Sequence, residues 1–261
     1  MFDTERIIST LDRVSLRCIT GAEQRDETEA KAGAESPRRL ASEKAQAAKG
    51  LAGFVSVAAV PAAAEPENRN QPGPSWSCDE LYGRLVEVSG AYASSALTCA
   101  VHLSLEAQRQ GELVVWVLQK ESSFYPPDVS ECGVDLDSLV VVRVGEQKSV
   151  ARAASKLLTS GAFALVVLDL GADSGRGAAV PTPLQGRLTK LAQKHHSAVV
   201  CLTEKKESLP SIGSMVSLRT EATRIKLAGG RFGYRVRALK DKKNGPHWQQ
   251  SEVARGPSGL R

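Results

Sequence analysis

The residues in this chain best placed to hold a phosphate are Gly90-Ala91-Tyr92-Ala93-Ser94-Ser95-Ala96-Leu97. They follow a short apolar run and open a helical stretch. A loop that cradles phosphates there reads G-x-x-x-x-G-K-[ST]. Its glycines let backbone N–H groups wrap the anion, its lysine neutralises the outer phosphates, and its hydroxyl holds magnesium. Gly90 supplies the first glycine. Ser95 stands at the second, Ala96 at the lysine and Leu97 at the hydroxyl. Thr98 comes one residue late, about 100° round a helix, and does not substitute. Removing one partner of a desolvated charge pair costs about 2–5 kcal/mol. Three departures at three chemically distinct positions argue against ordinary MgATP binding and against a catalytic role.

Other reactive side chains form no recognisable set. His102 and Glu106 are four apart and could share a helix face, which is commonly packing rather than a metal site. His195 and His196 are adjacent and point apart. No histidine or aspartate stands at triad spacing from Ser94 or Ser95. Cys18, Cys78, Cys99, Cys132 and Cys201 are odd in number and contain no C-x-x-C pair, against a disulfide framework or a cysteine zinc site. We expect no metal and no cofactor.

The elements around the loop alternate. Strands are expected at 85–88, 113–118, 139–144, 164–168 and 198–202, and helices at 94–110, 150–158 and 184–195. This β-α order implies a mainly parallel sheet flanked by helices. After residue 213, segments 215–218, 223–227 and 234–239 read as strands, with Gly229-Gly230 as a turn, so antiparallel strands should finish the sheet. Ile7, Ile8, Leu11 and Val14 recur at helical spacing. The chain thus divides into an amphipathic N-terminal helix (1–20), a flexible Ala/Glu/Pro-rich arm (21–75), a core (76–250) and a disordered tail (251–261).

At 261 residues, 42% hydrophobic and 24% charged, the chain can bury a core. The start, Met1 to Arg6, lacks the apolar centre of a secretory leader. The mildly apolar stretch 50–64 is shorter than the roughly 20 residues that span a bilayer. We therefore expect a cytoplasmic protein without a membrane partner. Residues 219–261 hold eleven Lys and Arg against three Asp and Glu, while the rest is slightly acidic. Such a segment suits a polyanion or a solvated tail. Arg231, Arg235, Arg237, Lys240, Lys242 and Lys243 are the candidate DNA-binding residues, with Arg235 and Arg237 on one strand face.

From about Leu81 to Gln249 the chain resembles the core of the RecA recombinase family. Gly83-Arg84-Leu85-Val86-Glu87-Val88-Ser89-Gly90 looks like that family's approach to its phosphate loop. Gly133-Val134-Asp135-Leu136-Asp137-Ser138-Leu139 is similar to its G-V-D-x-D-x-L segment. Ser160 to Asp169 is similar to its Walker B strand, and Arg235 to Asn244 to its R-V-K-V-V-K-N-K strand and turn. The resemblance implies a RecA-like α/β fold. It places Glu121 at the family's water-positioning glutamate, Asp169 at its magnesium-side aspartate and Glu204 near its sensing glutamine. It makes Gly90, Ser95, Ala96, Leu97, Glu121 and Asp169 a vestigial nucleotide site. Residues 171–183 and 205–213 correspond to the family's DNA-binding loops. Both look shorter, and the second keeps Lys205 and Lys206 but no aromatic residue for stacking.

In the family, a neighbour's N-terminal segment docks on the strand and helix that correspond here to 139–144 and 147–158. The resemblance therefore implies a partner surface on Leu139, Val140, Val141, Val142, Val144, Ala154 and Leu157. A retained docking surface beside a ruined pocket most resembles ImuA-type proteins, RecA-like accessory proteins of DNA-damage-induced (SOS) mutagenesis. The implied partner is an ImuB-type Y-family-like polymerase in translesion synthesis. An error-prone replicative-type polymerase, RecA and single-stranded DNA are further candidates. Two alternatives stay open: a SulA-like division inhibitor that binds a tubulin-like protein, and a RecA-like ATPase with an unorthodox loop.

Overall fold

The structure is a computed structural model that describes residues 17–19, 73–91, 94–120, 122, 124–171, 180–227 and 232–254. Strand β1 is Arg17–Ile19. Helix α1 (Cys78–Leu81) precedes β2 (Leu85–Ser89) and helix α2 (Ala96–Arg109). Then come β3 (Val114–Gln119), α3 (Pro126–Glu131), a 3-10 turn (Leu136–Ser138) and β4 (Leu139–Val144). Helix α4 (Gln147–Thr159), β5 (Leu165–Asp169), α5 (Thr182–His195) and β6 (Ala198–Thr203) follow. The last described elements are β7 (Leu218–Lys226), β8 (Phe232–Asp241) and β9 (Gln249–Ala254).

The nine strands among the described residues share one sheet in the order β1-β4-β3-β5-β6-β2-β7-β8-β9. The six from β4 to β7 run parallel, and β1, β8 and β9 join antiparallel. This is the expected α/β architecture, mainly parallel with antiparallel strands at the C-terminal end. The central strands are apolar on both faces, as a sheet covered on both sides requires; β3 buries Val114 to Leu118 completely. One face packs on α2 through Val86, Val88, Cys99, Leu103, Trp116 and Val200. The other packs on α4 and α5 through Leu85, Val117, Val142, Leu157, Leu168 and Leu188. Trp116 ties the first layer together, its indole N–H donating to Ser104 Oγ at 3.0 Å. Helix α5 stops where His196 turns left-handed, with φ 53°.

Two boundaries differ from expectation. Residues 1–16 of the expected N-terminal helix (1–20), like residues 20–72, lie outside the described residues. Arg17–Ile19, within that expected helix, is strand, paired with Arg143, Val142 and Val141 of β4. Residues 251–254, expected as disordered tail, belong to β9. The run Gln-Gln-Ser-Glu-Val-Ala has weak strand propensity, and backbone pairing from Phe232↔Ala254 to Arg237↔Gln249 holds it.

Candidate functional site

The C-terminal ends of parallel strands are where such sheets bind ligands. The segment after β2 arrives there and is held by the protein itself. Gly90 N–H donates to Thr203 O at 3.2 Å, and Ser95 N–H donates to Ala222 O of β7 at 3.3 Å. Ser94 bridges to Thr223 in antiparallel fashion. Ser94 Oγ accepts from Ala96 N–H at 3.2 Å. Ser95 and Ala96 are buried, whereas Leu97 is 44% exposed. A phosphate cradle needs inward N–H groups that are free. Here the Ser95 donor is engaged by β7, no lysine follows it, and an apolar side chain stands where a magnesium hydroxyl would. Gly90 has a local reason to be glycine: a Cβ there would sit 2.9 Å from Ala222 O and 2.2 Å from Ser94 Oγ.

Of the carboxylates, Glu121 lies outside the described residues. Asp169 ends β5 half-buried, and both its oxygens are engaged. Ser122 Oγ donates to Oδ2 at 2.6 Å and Gly171 N–H to Oδ1 at 3.1 Å. Glu204 is exposed at the end of β6. The structure therefore brings Asp169 together with Ser122.

Sequence reasoning missed Glu87, buried in mid-β2 on the α4/α5 face. Its carboxylate takes Lys205 Nζ at 2.6 Å, Ser211 Oγ at 2.7 Å, Ile212 N–H at 2.9 Å and Thr203 Oγ1 at 3.2 Å. Lys205 also donates to Pro210 O at 2.8 Å. Arg219 donates to the carbonyls of Leu209 and Lys206. The segment matched to the second DNA loop is thus fastened across the sheet, and Lys205 is sealed inside. A charge amid the apolar run Leu85-Val86-Glu87-Val88 was the available signal.

His102 does not pair with Glu106. It lies 3.1 Å from Tyr234 Oη and 3.5 Å from Glu252, and Tyr234 Oη donates to Glu252 at 2.6 Å. The His102 contact first, with Tyr234 and Gln250 adding to it against burial, holds the Glu252 carboxyl below its usual range. Glu106 instead accepts from Cys78 N–H, and burial pushes its carboxyl up.

The expected partner surface needs correction. Leu139, Val141, Val142, Val144, Ala154 and Leu157 are buried within the chain's own core, and Val140 is half-buried. Their side chains are spent on α4, β3 and β5. What β4 offers is a backbone edge, and β1 of the same chain pairs there, Ile19 opposite Val141.

The expected DNA-binding set does not form one patch. Arg231 lies outside the described residues. Arg237 is claimed by Glu207 and Glu221. Burial first, with Lys242 and Arg219 adding to it, pushes the Lys240 ammonium down. Lys242 donates to Ser214 O, and Lys243 pairs with Glu80 at 2.9 Å, at the opposite end of β8 from Arg235. Arg235 stays exposed, its Nε donating to Ser251 Oγ at 3.3 Å. Among the described residues, no helix is long and apolar enough to cross a membrane.

Comparison with known proteins agrees with this architecture. Residues 80–190 match the RecA N-terminal domain family. RecA of Fusobacterium nucleatum is 34% identical over 87 residues, 33% of this chain and 23% of that protein. RecA of Rhodopirellula baltica is 31% identical over 87 residues, with the same shares covered. RecA of Aquifex pyrophilus is 24% identical over 203 residues, 65% of this chain and 58% of that one. The chain spans less than two thirds of the length of these relatives. Sheet order, helix placement and these similarities together support a RecA-like relationship for the core, at low identity.

Proposed function

We propose that this chain is a non-catalytic, RecA-like accessory protein of DNA-damage-induced mutagenesis. In this reading it is an adaptor that joins an ImuB-type Y-family-like polymerase during translesion synthesis. One observation carries the reading. The sheet is RecA-like, while at the place where that fold would hold nucleotide the Ser95 N–H donates to Ala222 O, and Ala96 and Leu97 stand in place of lysine and hydroxyl. A fold without a nucleotide grip still offers sheet edges, and strand addition supplies backbone hydrogen bonds to a partner. The β4 edge is such a place, and a partner strand there takes the position of β1.

Two measurements together test this. Deleting the gene from its host should abolish damage-induced mutation while leaving undamaged growth intact, and the tagged chain should co-purify with a polymerase-like protein from damaged cells. Mutation rates unchanged by deletion would overturn the role. Micromolar binding of MgATP by the purified chain would overturn the non-catalytic assignment.

A further inference from the structure

The two edges of the sheet differ. The β4 edge is occupied by β1, whereas no strand among the described residues pairs with the outer edge of β9. Ala238 N–H donates to Trp248 O at 2.9 Å, and the pairing of β8 with β9 continues in the same register from Arg237↔Gln249 to Phe232↔Ala254. Opposite residues of an antiparallel pair alternate between bonded and non-bonded. Gln250, Glu252 and Ala254 therefore spend their backbone groups on β8. The backbone groups of Gln249, Ser251 and Val253 point outward, away from the sheet.

Exposed edges are commonly blunted by charged side chains, proline or a bulge. None of these stands at the three outward residues. Gln249, Ser251 and Val253 are uncharged and exposed, Val253 by 50%. The one charge of the strand, Glu252, faces α2, where it accepts from Tyr234 Oη at 2.6 Å and lies 3.5 Å from His102. Gln250 Nε2 donates to Glu252 at 2.6 Å, and its Oε1 accepts from Trp76 N–H at 2.7 Å. These contacts hold β9 in place from the α2 side, so its outer edge is preorganised to receive a strand.

We propose that the outer edge of β9 docks against the same edge of a second copy of this chain, antiparallel across a two-fold axis. The sequence of β9 selects this occupant and its register. An axis at Ser251 sets Gln250 opposite the partner's Glu252, amide against carboxylate, and Gln249 opposite the partner's Val253. An axis at Glu252 would set two carboxylates face to face, which is destabilising. An axis at Gln250 would leave the exposed Val253 outside the ladder, since β9 begins at Gln249. With the axis at Ser251, all three outward residues of each copy fall in bonded pairs, and about six N–H···O bonds close the joint. Such an interface is isologous and needs only one self-complementary strand. Joining at β9 leaves the β4 edge of each copy at the far side of a continuous sheet. In the adaptor reading one dimer then carries two partner edges, but the dimerisation itself does not rest on that reading.

The test is sedimentation velocity of the full chain from about 1 to about 100 μM, which brackets a micromolar Kd. The chain should pass from monomer to dimer over this range. Ser251→Pro removes an N–H that β8 does not use, in both copies, and should weaken association about tenfold or more. Val253→Lys places a charge on the edge and should do likewise. Both variants should melt as wild type does; Val253→Lys, at a half-exposed position, keeps the test decisive if Ser251→Pro unfolds. Ser251→Cys oxidised with diamide should give a disulfide-linked dimer, because an axis at Ser251 sets the two Cα atoms about 5.5 Å apart. Gln249→Cys should give no link beyond the wild-type background. A chain that stays monomeric, a dimer that survives both edge variants, or a Gln249→Cys link as efficient as that of Ser251→Cys would overturn the proposal. A dimer lost on deleting residues 1–22 but kept in Ser251→Pro would place the joint at β4 and overturn it as well. An intact β9 dimer alongside normal damage-induced mutation in the deletion strain would instead fault the adaptor reading.

Discussion

Lys205 Nζ lies 2.6 Å from Glu87 Oε1, and both side chains are sealed from solvent. The pair joins the end of β6 to the middle of β2, with Ser211 and Ile212 on the second carboxylate oxygen. Removing one member of a buried pair strands the other charge, at a cost of about 3–5 kcal/mol. Glu87→Ala should therefore lower stability by about that much in urea unfolding. Glu87→Ala/Lys205→Ala should cost less than the sum of the singles, because the two are in direct contact. A single-variant loss below about 1 kcal/mol would contradict the ion-pair account.

Gly90→Ala should destabilise the protein without any nucleotide present. Its new Cβ would press on Ala222 O, a backbone atom that cannot swing aside. Overpacking of this kind costs about 1–3 kcal/mol. At this chain length that lowers Tm by about 2–4 °C per kcal/mol. An unchanged Tm would show that β7 can yield at Ala222.

Restoring the motif letters should not restore nucleotide binding. In Ser95→Gly/Ala96→Lys/Leu97→Thr, the residue-95 N–H still faces Ala222 O. Isothermal titration with MgATP should give no binding heat for this variant or for wild type. Micromolar binding by the variant would mean that β7 releases the loop.

Stability should fall in acid through Asp241. Burial pushes its carboxyl up, but donors from Lys243 N–H, Trp248 Nε1 and Arg84 outweigh it and hold the group below its ordinary 3.8. A depressed carboxyl contributes stability that is full above its unfolded pKa and is lost as pH drops through the folded value. Wild-type stability should therefore drop at pH below about 4, and Asp241→Asn should flatten that drop while lowering stability at pH 7. Parallel acid profiles for both proteins would exclude Asp241 as the source.

Deleting residues 1–22 should bare the β4 edge. An unpaired apolar edge recruits other strands. The truncated chain should self-associate more than the full chain in light scattering, and in the adaptor reading it should capture its polymerase partner more readily. Identical behaviour of the two chains would argue that β1 does not guard this edge.

Much of the core was legible because burial dictates residue type. The apolar run 139–144 is the strand β4, and the helix read at 150–158 is the centre of α4, longer by one turn at its start. Ser95, Ala96 and Leu97 depart from the phosphate-loop pattern by identity alone. What stayed hidden was long-range. Glu87 meets Ser211 across 124 positions, and no local pattern marks such a pair. Val141 and Val142 looked available for docking because apolar composition alone cannot separate a sticky surface from a core. Lysines and arginines likewise look alike in sequence whether they bond only a hydroxyl, as Arg235 does with Ser251, or are neutralised by carboxylates, as Arg237 is.

With the stretch between β6 and β7 fastened down by Glu87 and Arg219, no small molecule is needed to set its shape. In the adaptor reading, such a scaffold has no trigger of its own. Complex formation then follows mass action, and control passes to how much of the chain and its partners the cell makes after damage.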